Sequence, residues 1–446
     1  MNPRRVALRV LERLEATPKR LEALLEGELA RHPAAEARDR ALAVGLVYAV
    51  LRHRLRLDHL LAAFLKKPFR DLDAPVLAIL RLGAAEIALL GHPAHAAVNE
   101  AVNLAKVGKQ ASAAGLVNAV LRAFDRGWRE AALPEAAGRP ADYLAVAYSH
   151  PRWLVKELLR RWPREQAEAW LAYNQEQPAL GLRANTLKAT REEVAALLAP
   201  HAERVEPHPL APESLALSRV SGGASRLPGF AEGLWQTQDP GATALGHLLG
   251  VEPGMKVLDL CAGAGGKTGH LAALMANRGC IVAVEPAEGR VLGLKENMAR
   301  LGVEIVEAVR ADGRNLPTGL GVFERILIDA PCTGLGTAGR RPDVRWRRTA
   351  EDPPRLAALQ LALAQSAADR LAPGGALLYC TCTVTAAENE GVVAALLASR
   401  PGLRLEWAPS LSEGGRARLG EDGFFRTLPQ HDRCDAFFAA RLVSRG

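Results

Sequence analysis

The chain has 446 residues, 49% of them apolar, and a formal net charge of +8, so it is long enough to bury two or three cores of ordinary size. Its six cysteines, Cys261, Cys280, Cys332, Cys380, Cys382 and Cys434, all fall in the C-terminal half, which excludes a disulfide scaffold and points to a cytoplasmic protein with reduced thiols. The N-terminus, MNPRRVALRVLERLEAT, has no apolar stretch fit for a signal peptide, and the 11-residue apolar run at 41–51 falls short of the roughly 20 that span a bilayer, so no membrane partner is expected.

Residues 1–130 carry 21 Lys plus Arg against 14 Asp plus Glu, nearly the whole net charge of the chain, and form the expected electrostatic footprint for a polyanion. Leu42, Leu46, Val47, Val50 and Leu51 recur at helical spacing, as do Leu116, Val117, Val120, Leu121 and Phe124. The pattern predicts an all-α bundle, with Pro68, Gly83, Gly91 to Pro93 and Gly108 separating the helices. The segments DRALAVGLVYAVLR, HPAHAAVNEAVNLAK and GLVNAVLR are similar to the NusB-type RNA-binding domain, and the resemblance implies RNA binding here. Within them Asn99 and Asn118 are read as helix caps or cross-links rather than RNA contacts.

Residues 131–150 shift to Ala, Pro and Gly and read as a linker or partly helical connection. A small α/β unit, 151–234, follows. Its 153–170 stretch is helical in pattern, and LGLRANTLKATREEVAALL reads as a strand ending near Asn185 and a helix capped at Thr190. Thr190 with Glu193 three residues on fits a capping box. Residues 200–229, rich in Pro, Ser and Gly, read as loop with weak strands.

From 235 to the end, strand and helix alternate. Strands predicted at 256–260, 281–284, 305–310, 325–328 and 376–379 call for a parallel sheet covered on both faces by helices. The first strand runs into DLCAGAGGKT and a helix, where glycines let the backbone approach a ligand and free amides meet an anion. A Walker A loop needs glycine at Cys261, and the dinucleotide fingerprint needs Gly or Ala at Thr268; neither is present. S-adenosylmethionine, with a carboxylate and a ribose but no pyrophosphate, suits such a turn. Glu285, 20 residues after Gly265, is placed to take the ribose hydroxyls, and Asp312 to accept from the adenine amino group. Two further strands end in cysteines, ILIDAPCT at Cys332 and LLYCTCT at Cys382, and thiols at the carboxyl edge of such a sheet suggest shared chemistry. Cys380 and Cys382 lack a CxxC partner and no His pair has zinc spacing, so no metal is expected.

DLCAGAGGKT, VEP, ADGRNLP, IDAPCTGLGTAGRRPDVRW, YCTCTVTAAENE, DGFFRTLP and CDAFFAARL, with WQTQDPGA and LRANTLK, resemble the RNA cytosine-C5 methyltransferases of the NOL1/NOP2/Sun family. The resemblance implies a multidomain protein: a NusB-like bundle, a small α/β subdomain, and a Rossmann-like class I methyltransferase domain over 235–446. It implies S-adenosylmethionine as cofactor, contacted by Cys261, Ala262, Gly263, Ala264, Gly265, Gly266, Lys267, Glu285, Arg290, Asp312 and Asp329. It further implies Cys382 as nucleophile, Cys332 in adduct resolution and Asp329 in cytosine binding, with a monomeric enzyme acting on 16S rRNA or a small-subunit assembly intermediate. Three departures stand out: Gly263-Ala264 replaces the family's usual Ala-Pro, Glu285 its usual Asp, and Cys380 a Ser or Ala. Arg340, Arg341, Arg345, Arg347 and Arg348, interleaved with Trp346, read as phosphate contacts beside a stacking surface, with Arg340, Arg341, Arg345 and Trp346 the chief candidates. A non-catalytic RNA-binding factor of the antitermination type and a cytosine-C5 DNA methyltransferase attacking through Cys332 are the competing readings.

Overall fold

A computed structural model describes the chain except residues 109, 221, 222, 408–412 and 446. It divides into two compact units, Met1–Glu176 with Arg341–Arg347, and Gln177–Arg340 with Arg348–Gly446.

The first unit is helical. Helices Pro3–Ala16, Leu21–Ala30, Ala37–Ala62, Ala74–Ala88, Ala94–Val107 and Ala114–Gly127 bury their apolar stripes in one core that includes Leu46, Val47, Val50, Leu51, Val117, Val120, Leu121 and Phe124. Gly83 does not separate helices. It lies inside Ala74–Ala88, where a Cβ would come within 2.5 Å of Leu121 Cδ1, so its role is close helix packing. The region read as a linker contains a helix, Pro140–Ala147, and the stretch after it splits at Pro163 into Arg152–Arg161 and Arg164–Tyr173. By packing, these three helices belong to the helical unit.

Much of this unit's positive charge is engaged internally. Arg4 reaches the buried Glu86 at 2.6 Å, Arg9 and Arg13 reach the buried Glu28 at 3.0 and 3.4 Å, and Arg81 reaches Asp58 at 2.7 Å. Lys66, Lys67, Lys106 and Arg126 are exposed. Helix Ala37–Ala62 is interrupted at His53, whose φ of −114° and ψ of 17° are not helical. The interruption falls just after Leu51 and Arg52, and both of their carbonyls accept side-chain donors from the 341–347 segment.

The second unit holds two sheets. Strands β1 (Leu180–Ala184), β2 (Arg204–Pro207), β3 (Ser214–Ser218) and β4 (Trp235–Thr237) pair antiparallel in the order β2-β3-β1-β4. Their core is Leu182, Val194, Leu198, Leu215, Leu217 and Trp235. Helix Arg191–Leu198 starts at the capping box read from sequence: Thr190 Oγ1 accepts from Glu193 N at 3.2 Å, and Glu193 accepts from Thr190 N at 2.8 Å.

The larger sheet comprises β5 (Lys256–Leu260), β6 (Cys280–Val284), β7 (Val306–Val309), β8 (Phe323–Asp329), β9 (Leu371–Thr381), β10 (Leu403–Leu405), β11 (Phe425–Arg426) and β12 (Phe438–Ser444). The order is β10-β12-β9-β8-β5-β6-β7, with β11 on β12. The first five of these strands run parallel, as expected. The sheet as a whole is mixed, because β10, β11 and β12 add antiparallel pairings at one side. Alternate residues feed two cores, Val257, Ile281, Leu327 and Leu378 on one face and Leu258, Val282, Ile328 and Tyr379 on the other, which is why the strands read as unbroken apolar runs. No helix among the described residues is long and apolar enough to cross a membrane.

Candidate active site

The glycine turn, Glu285, Asp329 and the two thiols lie at the carboxyl ends of β5, β6, β8 and β9. After β5 the chain turns through Cys261 at φ +70°, Gly263 at φ +59° and Gly265 at φ +80°, then enters helix Gly266–Leu274. A non-glycine residue with positive φ is costly and marks a turn held by its surroundings. At Gly265 the φ of +80° favours glycine, and a Cβ there would also press on Met298 Cε at 2.8 Å. At Gly263 and Gly266 nothing lies within 4 Å of where a Cβ would be, which leaves open space beside the backbone amides of the turn. That cradle at a helix N-terminus fits the carboxylate end of S-adenosylmethionine.

Glu285, at the end of β6, is 3% exposed. Its Oε2 accepts from Gly263 N and its Oε1 from Ala287 N, each at 3.1 Å, and Arg290 Nη1 lies 3.8 Å away. The carboxylate thus ties the glycine turn to the next strand end, the place where the sequence reading puts the ribose. Asp312, beyond β7, is exposed and gripped by Arg314 through Nε and Nη2, and this hydrogen bonding lowers its pKa to about 2. Asp259, buried on β5, accepts from Thr268 Oγ1 at 2.6 Å, and burial raises its pKa to about 7.

Lys267 Nζ donates to Asp329 Oδ2 at 2.6 Å and lies 5.7 Å from the Phe437 ring centre. Burial opposes its charge, but the Asp329 carboxylate raises its pKa above the ordinary lysine value. Past the strand ends, Cys332 Sγ and Cys382 Sγ are 3.4 Å apart. The hydrogen bond to Cys382 and burial both push the Cys332 thiol well up. Cys380 stays on the strand, fully buried, with Sγ donating to Ile328 O at 3.3 Å, and burial raises its pKa too. β9 ends at Thr381, so the chain leaves the strand between the two cysteines and only Cys382 meets Cys332.

The arginine-rich segment departs from its sequence reading. Arg345 is 0% exposed and donates to the carbonyls of Arg52, Ser149 and Asn174 at 3.3, 3.1 and 3.0 Å. A guanidinium so enclosed cannot reach a phosphate, so Arg345 is a core residue of the helical unit. Trp346 likewise donates its indole N–H to Leu51 O at 2.6 Å and packs on the helical core beneath Arg54, instead of offering a stacking surface. Arg340 is held by Asp239 at 2.8 Å and Asp435 at 3.3 Å, with Ala179 O at 3.0 Å. Arg341 lies 3.5 Å from Glu22. Arg348 Nε donates to Thr333 O at 2.9 Å, beside the thiols.

Sequence reasoning assigned no role to Glu388, although the motif containing it was noted. It is fully buried and bonded to Thr333, Thr383, Thr385 and Gln360. Among the described residues one group offers metal-type donors, Glu213 with His247 and His270. His247 Nε2 is 2.9 Å from Glu213 Oε1, and His270 Nε2 also contacts that oxygen. A metal-bound histidine ordinarily donates its second ring N–H. His270 Nδ1 is buried with no partner, and the buried Arg183 guanidinium, whose nitrogens also lack a hydrogen-bond partner, is attracted electrostatically to the same carboxylate.

Comparison with known proteins covers both units. The 16S rRNA methyltransferase RsmB/F family model matches residues 247–443, the NusB family model 1–126, and the RsmF/B-like ferredoxin-like domain model 150–221. Ribosomal RNA small subunit methyltransferase B of Pseudomonas putida is 36% identical over 99% of this chain and 98% of its own. The probable enzyme of the same name from Synechocystis is 33% identical over 99% of each chain. The crystal structure of PH0851 superposes with a TM-score of 0.83 at 25% identity, covering 99% of both chains. The chain belongs to the ribosomal RNA small subunit methyltransferase B family, with S-adenosylmethionine as its cofactor.

Proposed function

We propose that the protein methylates C5 of a cytosine in 16S rRNA through a covalent adduct between Cys382 and C6 of the base. When bound, S-adenosylmethionine supplies an electrophilic methyl group on its sulfonium. C5 of cytosine is a poor nucleophile until a thiolate adds to C6, and the chain's own residues meet that need. The observation that carries the reading is the thiol pair: Cys332 and Cys382 Sγ atoms 3.4 Å apart, just past the ends of two neighbouring parallel strands, with Asp329 at the end of one of them.

Two thiols in contact do not readily ionise together. One thiol of the pair therefore keeps its proton while the other attacks, and the family resemblance assigns the attack to Cys382. The NusB-like domain and the Thr-Cys pair at Cys382 argue against the DNA-type alternative, in which Cys332 is the nucleophile. Asp329 accepts from the exocyclic amine and from protonated N3, and Lys267 holds the carboxylate in place. After methyl transfer the C5 proton leaves and the C6–S bond breaks, a step assigned to Cys332. The target atom is hidden in a stacked helix, so the base must be unpaired or flipped to enter. The substrate is free 16S rRNA or an assembly intermediate of the small subunit, engaged by a monomer.

Mapping 5-methylcytosine in 16S rRNA from cells with and without the gene tests the reading. At least one position should lose its methyl group without the protein and regain it on incubation with the enzyme and S-adenosylmethionine. An unchanged map, or a modification on another atom of the base, would overturn it.

A further inference from the structure

Neither reactive thiol lies on a strand. β8 ends at Asp329 and β9 at Thr381, and the last register pair between them is Asp329 with Cys380. The sheet's hydrogen-bond ladder therefore stops short of Cys332 and Cys382. Beyond it the two loops are joined by a backbone hydrogen bond from Gly336 N to Cys382 O at 3.0 Å and, through side chains, by Glu388, from the segment between β9 and helix Glu390–Ser399.

The two oxygens of Glu388 divide the work. Oε1 accepts from nitrogen donors, Thr333 N at 2.7 Å and Gln360 Nε2 at 3.1 Å. Oε2 accepts from hydroxyls, Thr333 Oγ1 at 2.6 Å, Thr385 Oγ1 at 2.8 Å and Thr383 Oγ1 at 3.3 Å. Thr333 and Thr383 each directly follow a thiol, and their own hydroxyls are 2.6 Å apart. Gln360 also donates to Pro331 O at 3.0 Å, and Tyr379 OH donates to Glu388 O at 2.6 Å and to Gln360 Oε1 at 3.1 Å. Every member of this set is 2% exposed or less, apart from Pro331. Burying a carboxylate costs desolvation that an apolar side chain would not, and only a full set of donors offsets it. Here the donors come from both thiol-bearing loops at once.

We infer that Glu388 is a positioning residue that fixes the distance between the Cys332 and Cys382 thiols by latching their loops together. The inference rests on the two-thiol reading for its importance to the reaction, but the latch itself is measurable without RNA. Diamide takes one hydrogen from each of two neighbouring thiols, becoming the hydrazine as the disulfide forms, and the rate at which Cys332 and Cys382 become linked reports how they are held.

The full-length protein is treated with diamide, and the Cys332–Cys382 peptide is followed by mass spectrometry. In parallel, kcat and KM for methylation of rRNA, S-adenosylmethionine affinity and the unfolding midpoint are measured. Glu388→Ala should slow linkage about tenfold or more and lower kcat about 10²-fold, the scale for reacting groups displaced by an ångström, with cofactor affinity unchanged. Glu388→Gln should recover most of both. Its Oε1 still accepts from the two nitrogens, and two of the three hydroxyls can turn to accept from its two amide hydrogens. If Glu388→Ala does not fold, Thr333→Val carries the test. It removes the hydroxyl that reaches both Glu388 and Thr383, and should slow linkage and turnover together.

Linkage at the wild-type rate in a folded Glu388→Ala or Thr333→Val protein would overturn the latch, whatever happens to turnover. Failure of Glu388→Gln to recover either rate would overturn the division of the two oxygens, and the latch with it. Slow linkage with full turnover would leave the latch standing and remove the two-thiol mechanism beneath it.

Discussion

Replacing Glu285 with alanine tests how the cofactor is held. The side chain is 3% exposed and accepts from two backbone amides, one of them Gly263 in the glycine turn. Each oxygen keeps an unused lone pair for a ribose hydroxyl. A hydrogen bond to a charged acceptor contributes about 1.5 to 3 kcal/mol, so losing the ribose contact should weaken S-adenosylmethionine binding about 10- to 150-fold. The released Gly263 amide adds to the loss by loosening the turn that receives the carboxylate end. Isothermal calorimetry on the folded variant is the assay, and Glu285→Gln, which keeps the shape but sets an NH2 against one amide, should fall between the two. Unchanged affinity in a folded Glu285→Ala protein would refute the ribose assignment.

Arg345→Ala should destabilise the helical unit by about 3 to 5 kcal/mol, because a buried guanidinium serving three carbonyls is lost. Urea unfolding measures this, and weaker RNA binding with an unmoved unfolding midpoint would return Arg345 to the RNA surface. Asp259 carries a pH signature: its pKa is raised from 3.8 to about 7 by burial, so the native state keeps a proton that the unfolded chain releases. Stability from this group is therefore full below about pH 4 and is lost as pH rises through 7. Wild type should lose more in melting temperature between pH 5 and pH 8 than Asp259→Asn does, and equal losses would contradict the assignment.

The parts of this molecule written in local pattern were legible from sequence. Apolar runs gave the five parallel strands because both sheet faces are covered, and Thr190 with Glu193 gave a helix start because a capping box is local chemistry. The strand-end cysteines were visible for the same reason. What stayed hidden depends on partners far along the chain. Arg345 and Trp346 resemble any basic, aromatic RNA loop until the interrupted helix near His53 presents its carbonyls, some 290 residues earlier. Gly83 reads as a break until Leu121 is found packed over it. The antiparallel strands were missed because β11 has 2 residues and β10 has 3, too few to show a period, and β12 lies in a Phe- and Ala-rich stretch. Glu388 looked like one more acid before a helix, since its donors come from three separate segments.

The central claim is the division of labour between the two thiols, and a denaturing gel reads it directly. Labelled 16S rRNA and S-adenosylmethionine are incubated with each single variant. Cys332→Ala should form the adduct, transfer the methyl group and fail to release, leaving RNA attached to protein. Cys382→Ala should give neither product nor complex. Cys380→Ser should turn over and release, because that thiol is buried against Ile328 O. A trapped complex with Cys382→Ala and none with Cys332→Ala would contradict the account and exchange the two roles.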